Sequence, residues 1–335
     1  MSRDTLSDVL RTVRLEGAVF FYVSGGREWA AESPASKDIA RSVMPGAEHV
    51  MQYHLITRGT CWAGIVGQSP VRLSEGDVVL FPHGDAHVMS SAPGMRAGFD
   101  PAFFKDATIG RFPLRIGYEG TSGPSLTPPD ASWETTIVCG FISCDLRPFN
   151  PLIAALPHML VLSTGGSGAW IAQFLQQVVT ESNAERPGGE ALLARMSEML
   201  FVDAVRRHME GAARDATGWL AGLRDRHVGK ALALLHDEPA RLWTIDDLGR
   251  KVGLSRSALH ERFTEFVGLP PMQYLAQWRM QLAAGLLRSS NATVAAIAQE
   301  VGYESEAAFA RAFKRLVGTP PAAWRRSLRE TGVVG

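Results

Sequence analysis

The chain of 335 residues is poor in cysteine, has no net charge and contains no long apolar run. Its three cysteines are too few and too scattered for a disulfide scaffold, and they predict a reducing cytoplasm. No apolar run approaches the roughly 18 residues that a spanning helix needs, so no membrane partner is expected. Charges spread through the first 17 residues differ from the pattern of a signal peptide.

The zero net charge conceals a segregation along the chain. Residues 1–225 carry 19 Lys and Arg against 24 Asp and Glu, whereas residues 226–335 carry 15 against 10. A basic third beside an acidic remainder is typical of a nucleic-acid-binding module joined to a different domain. The length also predicts two domains and a connector, at about 150 residues per domain.

The apolar patterning predicts an α+β multidomain chain. Residues 17–145 hold short apolar segments between clusters of Gly, Pro, Ser and Asp, which favours a β-sandwich or barrel. The segments are Ala18–Val23, Val50–Ile56, Cys61–Val66, Val78–Phe81 and Thr135–Ile142. Residues 107–131 predict a long loop, and residues 170–182 and 190–210 have helical periodicity. From about Leu223 the whole chain is predicted to be helical.

The last third contains an internal repeat. The segment that starts at Thr244 aligns with the one that starts at Thr293, and twelve positions keep their chemistry. In each copy a threonine N-cap precedes an apolar stripe, a Val-Gly pair ends the first helix, and a Pro-Pro pair follows the second. This pattern predicts two helix-turn-helix units, at about 244–268 and 293–318.

The second helix of each copy has an apolar side and an opposite, polar side that can enter a DNA major groove. The polar sides hold the predicted DNA-binding residues, which are Arg256, Ser257, His260, Glu261 and Arg262 in the first copy and Glu306, Ala307, Ala310, Arg311 and Lys314 in the second. Arg can bind guanine and Glu can accept from cytosine, whereas Ala offers only a methyl contact. Further cations are predicted to bind phosphates: Lys251, Lys314, Arg315, Arg325 and Arg326. The alternative is a helical pair with a solvated charged face, which two tandem copies disfavour.

Residues 225–326 resemble the DNA-binding domain of the AraC/XylS family of bacterial transcription regulators. The resemblance includes both helix-turn-helix units, the linking helix YLAQWRMQLAAGLLRSS and the terminal FKRLVGTPPAAWRR. It implies that one monomer binds two successive major-groove faces of double-stranded DNA. It also implies a small-molecule effector, a homodimer formed through the helices at 170–182 and 190–210, and an activator with RNA polymerase as a partner. Packing of those helices on the barrel is the alternative to dimerisation.

The N-terminal half resembles the cupin-type sensor domains of some such regulators. The segment GDVVLFPHGDAH, residues 76–87, is similar to the second cupin motif, whose closing histidine binds a metal. The first motif departs from the family, because MQYHLITRG offers only Gln52 and His54, which share one face of a strand. The usual iron or manganese dioxygenase site is therefore not expected.

Three side chains of the N-terminal half, His54, His87 and Cys139, are candidate zinc ligands, with His83 or Cys61 as a fourth. The alternatives are hydrogen-bonded barrel histidines and a small buried cysteine. A redox role for cysteine would need an accessible thiolate of low pKa. Aromatic residues that could line a ligand pocket are Phe20, Tyr22, Trp29, Trp62 and Phe81.

These patterns predict a cupin-like sensor domain at 1–150, a helical connector and dimerisation region at 151–222, and an AraC-type DNA-binding domain at 223–330. The predicted function is sequence-specific transcription regulation in the cytoplasm, with a small molecule, a metal or a redox change as the signal. The rival is a metal-dependent cupin enzyme with a helical appendix. The chain has no nucleophile triad, Walker loop or dinucleotide fingerprint, so we expect no enzyme. A third possibility is a purely architectural DNA-binding protein.

Overall fold

The computed structural model describes residues 4–98, 114–126, 133–163, 173–174, 177, 180–181, 187–213 and 216–330. Contacts divide the chain into two units. The sheet unit comprises Leu15–Cys144 and Leu156–His208, and the helical unit comprises Met1–Arg14, Asp145–Ala155 and Met209–Gly335. The predicted range 1–150 does not coincide with this division, because both of its ends pack among the C-terminal helices.

The sheet unit is built on one nine-stranded sheet in the order β4-β3-β6-β1-β8-β2-β5-β9, with β7 paired to β1. The strands are β1 Glu16–Ser33, β2 His49–Arg58, β3 Thr60–Ile65, β4 Val71–Ser74, β5 Val78–Phe81, β6 His87–Ser90, β7 Leu114–Gly120, β8 Thr135–Cys144 and β9 Leu160–Leu162. Each of the five predicted apolar segments lies on a strand, except that Val66 follows the end of β3. The loop predicted at 107–131 is wrong over β7, which pairs in parallel with β1.

The sheet curls into a half-barrel. Strands β2 and β6 are three positions apart in the sheet order, which would separate them by about 14 Å in a flat sheet. Yet the Nε2 atoms of His54 on β2 and His87 on β6 lie 2.7 Å apart. The concave face is therefore closed enough for side chains from non-adjacent strands to touch, and its core is apolar.

One long helix packs closely on this sheet. Two helices of the sheet unit are α2, Ser36–Val43, and α4, Gly189–Gly211, which matches the helix predicted at 190–210. A Cβ on Gly17 would lie 2.5 Å from the Ala194 carbonyl oxygen, so only glycine permits this approach. The buried hydroxyls of Tyr53 and Ser197 then join sheet and helix by a 2.7 Å hydrogen bond. The helix predicted at 170–182 falls largely outside the described residues.

The helical unit contains α1 Thr5–Thr12, α3 Pro151–Ala155, α5 Trp219–Arg224, α6 Val228–Asp237, α7 Ile245–Val252, α8 Arg256–Val267, α9 Pro271–Ser289, α10 Val294–Glu300, α11 Glu306–Val317 and α12 Pro321–Glu330. The predicted repeat is confirmed, because α7 and α8 correspond to α10 and α11, and α9 links the two pairs. The predicted N-caps are also confirmed, since the Thr244 and Thr293 hydroxyls accept hydrogen bonds from the backbone N–H groups of Asp247 and Ala296. At the first turn Gly253 has φ +79°, a conformation that favours glycine.

A buried ion cluster holds distant segments of the helical unit together. The Asp145 carboxylate accepts hydrogen bonds from Arg14 at 2.9 Å and from Arg288 on α9 at 2.6 Å. Only 5% of the Asp145 side chain and 6% of the Arg288 side chain are exposed. Nearby, the Phe149 N–H donates to the side-chain oxygen of Gln281, also on α9. The segment that follows β8 is thus bound to the helix that links the two helix-turn-helix pairs.

Candidate functional site

The second helix of each pair, α8 and α11, exposes one face and buries the other; we call them the reading helices. Leu259 and Phe263 on α8, and Phe309 and Phe313 on α11, are fully buried. The predicted DNA-binding residues lie on the opposite faces, where nine are exposed and Ala310 is half-buried. A serine, Ser255 or Ser305, caps the N-terminus of each reading helix. Each helix is therefore fixed by its core and cap while its polar face is accessible.

One predicted reader, Arg262, is engaged within the protein. Its guanidinium binds the Asp225 carboxylate through both Nε and Nη2, the latter at 2.5 Å. Partial burial opposes ionisation of Asp225, but the bonds from Arg262 and from the Val228 and His227 N–H groups outweigh it and lower the Asp225 pKa to about 2. Arg262 thus anchors α8 to the start of α6, and its role as a base reader is not favoured.

The predicted phosphate anchors also differ from one another. Arg325 donates to the carbonyl oxygens of Leu287 and Ala292, so its guanidinium is bound inside the helical unit. Lys251, Lys314, Arg315 and Arg326 are exposed. These four side chains remain accessible to a phosphate backbone.

In the half-barrel, His54 lies between Cys139 and His87. His54 and Cys139 face each other in the β2–β8 register, and the distance from Nδ1 to Sγ is 2.9 Å. The other nitrogen of His54, Nε2, lies 2.7 Å from Nε2 of His87. The Phe81 ring stacks on His87 with centroids 3.7 Å apart. The three residues predicted to come together therefore do so.

The hydrogens in these contacts can be assigned by starting from His87. His87 Nδ1 lies 2.8 Å from the Asp85 carbonyl oxygen, which can only accept, so Nδ1 carries a hydrogen. Burial lowers the pKa of His87 to about 4, so at neutral pH its Nε2 is bare and accepts from His54. Burial, with His87 beside it, also lowers the pKa of His54. The bare Nδ1 of neutral His54 then accepts from the Cys139 thiol.

This geometry does not fit a zinc site. A single ion needs its ligand atoms to converge on one point, as in tetrahedral N/S sites. His54 instead turns a different nitrogen to each neighbour, at hydrogen-bond distances. His83, the proposed fourth ligand, bonds to the Leu156 carbonyl and stacks on His158. Among the described residues no group of three or more His, Cys, Asp or Glu is placed to hold a metal ion.

The thiols do not meet the requirement for redox sensing, which is an accessible thiolate of low pKa. Cys61, Cys139 and Cys144 are all buried and none is in a disulfide. Burial, with a smaller contribution from Cys61, raises the pKa of Cys139. Burial likewise raises the pKa of Cys61 to about 12. At neutral pH both side chains are thiols, whereas oxidants react with thiolates.

A cavity opens beside His54 on the concave face of the sheet. About 530 Å³ of space, including its mouth, lies between its walls. The walls are formed by Phe21, Val23, Trp29, Ala31, Ser33, Gln52, His54, Met89, Ile116, Tyr118, Ile137, Cys139, Gly140 and Phe141. Gln52 and His54 both line it, as their shared strand face predicts, and so does Trp29. The contributions of β6 and β7 to this lining were not predicted from the sequence, because neither strand was predicted.

Family comparisons agree with this architecture. The model of a family described as Cupin matches residues 4–210, and one described as Helix-turn-helix domain matches residues 248–327. An AraC-like transcription regulator of Streptomyces lividans is 31% identical over 96% of this chain and 98% of its own length. The chain belongs to the AraC family of transcription regulators.

Other similar proteins extend the comparison with this AraC-family chain. The HTH-type transcriptional regulator AlkR of Acinetobacter baylyi is 27% identical over 96% of this chain and 99% of its own length. The DNA-binding domain of AdpA, crystallised with a target DNA, is 27% identical, with 33% of this chain and 99% of that chain covered and a TM-score of 0.32. The helix-turn-helix and cupin family matches, together with the Streptomyces lividans relative, show a DNA-binding regulator with an N-terminal cupin-type domain. Within its described residues, no helix combines the length and apolar character needed to cross a bilayer.

Proposed function

We propose that α8 and α11 bind two successive major-groove faces of one DNA site, and that occupancy of the half-barrel by a small molecule controls this binding. The observation that supports it is the exposed polar face of two reading helices whose opposite faces are fully buried. We assign base contacts to Arg256, Ser257, His260 and Glu261 on α8 and to Glu306, Ala307, Ala310 and Arg311 on α11, with Lys314 as a phosphate contact. Arg262 is left out because Asp225 holds it.

The experiment compares Arg311→Ala with Arg262→Ala on two DNA duplexes. The site is first selected from a random pool with the full-length protein, and affinities are measured by fluorescence anisotropy. Arg311→Ala should weaken binding to the selected site by about 1–3 kcal/mol and leave random DNA almost unaffected. Arg262→Ala should change specific affinity much less. Equal losses on both duplexes would make Arg311 a phosphate contact, and an affinity independent of salt would contradict the DNA interface.

A second copy of the chain is the further partner that we propose. On α4, Leu192 and Met199 are 41% and 60% exposed, and their spacing of seven residues places them on one side of the helix. Replacing both with Glu should convert a dimer into a monomer in analytical ultracentrifugation, and an unchanged sedimentation coefficient would contradict this interface.

As a regulator acts where the chromosome lies, we place the dimer in the cytoplasm. From the family resemblance we also propose that the protein activates transcription by contacting RNA polymerase.

A further inference from the structure

The half-barrel cavity has a large apolar wall and a small polar one. Most of its lining consists of aromatic and aliphatic side chains, which include Phe21, Trp29, Ile116 and Phe141. Its polar part is formed by Gln52, His54, Cys139 and nearby hydroxyls. The space of about 530 Å³ between these walls includes open solvent at the mouth of the cavity.

No formal charge faces this cavity. Among the described residues that line it there is no Asp, Glu, Lys or Arg. Its one histidine, His54, is neutral because burial and the neighbouring His87 lower its pKa. A ligand carboxylate, phosphate or ammonium would therefore lose its hydration without meeting a counter-charge, which is strongly unfavourable.

Three side chains of the polar wall, Gln52, His54 and Cys139, have already committed their hydrogens to other acceptors. The side-chain nitrogen of Gln52 donates to the Pro34 carbonyl and to the Ser36 hydroxyl, both at 3.2 Å. The Cys139 thiol donates to His54, which in turn donates to His87. What Gln52 and Cys139 present to a ligand is lone pairs on a carbonyl oxygen and a sulfur. Neither the carbonyl oxygen nor the protonated sulfur is a strong nucleophile, and neither carries a formal charge.

We propose that this cavity binds a neutral molecule with a mainly apolar body, reversibly and without a covalent bond to Cys139. This inference rests on the proposed sensor role of the half-barrel and narrows its ligand class. Ionised fatty acids, phosphorylated sugars and amines are excluded by the uncharged wall. Thiol-reactive electrophiles are disfavoured as well, because Cys139 is buried and burial keeps its sulfur protonated.

A pair of fluorescent probes tests, on the full-length protein, whether the cavity prefers a neutral ligand to a charged one. N-phenyl-1-naphthylamine is neutral, and 8-anilinonaphthalene-1-sulfonate carries the same rings with a sulfonate. The neutral probe should bind at least about tenfold more tightly, because the sulfonate would be buried unpaired. Equal or tighter binding of the sulfonate in the cavity, or no binding of the neutral probe to folded protein, would overturn the proposal.

Two variants locate the bound probe. Ala31→Phe fills the cavity from its β1 wall and should weaken binding of the neutral probe at least about tenfold. Ala322→Phe on α12 adds the same ring at an exposed position and should leave the affinity for the probe unchanged. If Ala31→Phe is unstable, Ala31→Leu serves in its place with a smaller expected loss. Neutral-probe affinity that neither Ala31 variant changes would place the probe elsewhere and contradict the site.

Covalent chemistry and DNA binding are read out on the same samples. N-ethylmaleimide should leave Cys139 unmodified in the folded protein, as judged by peptide mass spectrometry, and modify it after unfolding. A Cys139 adduct in folded protein would overturn the reversible mode. DNA binding without the predicted probe selectivity would refute this inference alone. Probe selectivity without DNA binding would instead refute the proposed function.

Discussion

The two helix-turn-helix pairs have the same scaffold but pair their charges differently. In both, a threonine caps the first helix, a serine caps the reading helix, and two apolar residues four apart anchor that helix in the core. In the first pair, Arg262 is bound to Asp225, Arg250 to Asp247, and Arg256 lies 3.8 Å from Asp246. Over the described α10 and α11, no ion pair is found for Arg311 or Lys314.

This difference separates what a duplicated fold preserves from what it leaves to vary. Caps and cores must be kept, because each copy needs them to hold its helix. The exposed cations carry no such constraint. The first pair uses part of its positive charge for internal anchoring, whereas the second presents it to solvent. We therefore expect α11 to contribute more than α8 to salt-dependent attraction of DNA.

The equivalence of the two cores is tested by Phe263→Ala and Phe313→Ala. Both side chains are fully buried, so each truncation should lower the free energy of unfolding by about 3–5 kcal/mol. Urea unfolding followed by circular dichroism measures both losses, with the exposed Lys251→Ala as a control of little effect. Losses that differ by more than about twofold would show that the two pairs do not share an equivalent core.

The equivalence of the caps is tested by Thr244→Ala and Thr293→Ala. Each should cost about 1 kcal/mol of stability. The loss should be somewhat larger at Thr244, whose hydroxyl also donates to the Asp247 carboxylate at 2.9 Å. Serine at either position keeps the oxygen and should restore most of the stability. A loss that serine does not restore would point to the missing methyl group instead of the cap.

The difference in charge pairing should produce the smallest effect, and the pH dependence of that effect is confined to acid. The folded pKa of Asp225, about 2, lies below its ordinary value of 3.8. Its contribution to stability is therefore fully present above about pH 4 and is lost as the pH falls toward 2. Thermal melts between pH 2 and 5 should show a shallower pH dependence for Asp225→Asn than for the parent chain. An identical pH dependence for the variant and the parent chain would show that the Arg262–Asp225 pair does not stabilise the first helix-turn-helix pair.

The sequence predicted best what depends on neighbours along the chain. The threonine caps, the Val-Gly turn and the apolar spacing of Phe309 and Phe313 are local signals, and their duplication fixed the two helix-turn-helix pairs. The apolar strands were found for the same reason. Strands β4, β6 and β9 are only three or four residues long, too short to show alternation.

Long-range pairing was found only in part. The meeting of His54, His87 and Cys139 was predicted, but the tautomers that make it a hydrogen-bonded chain depend on the Asp85 carbonyl, which no pattern reveals. Asp225 lies 37 residues from Arg262, and Asp145 lies 143 residues from Arg288. Charged residues are common on any surface, so their spacing in sequence does not show which of them meet.

The Asp145 cluster has a consequence for dissecting the protein. A fragment that begins at residue 223 keeps Arg288 but loses the carboxylate that accepts its hydrogen bond, together with Arg14 and the Phe149 N–H that binds Gln281. Boundaries drawn from the family matches would make such a cut appear harmless. A chimera that exchanges sensor domains must therefore carry residues 4–14 and 145–155 with the C-terminal helices, or it will transplant an incomplete DNA-binding unit.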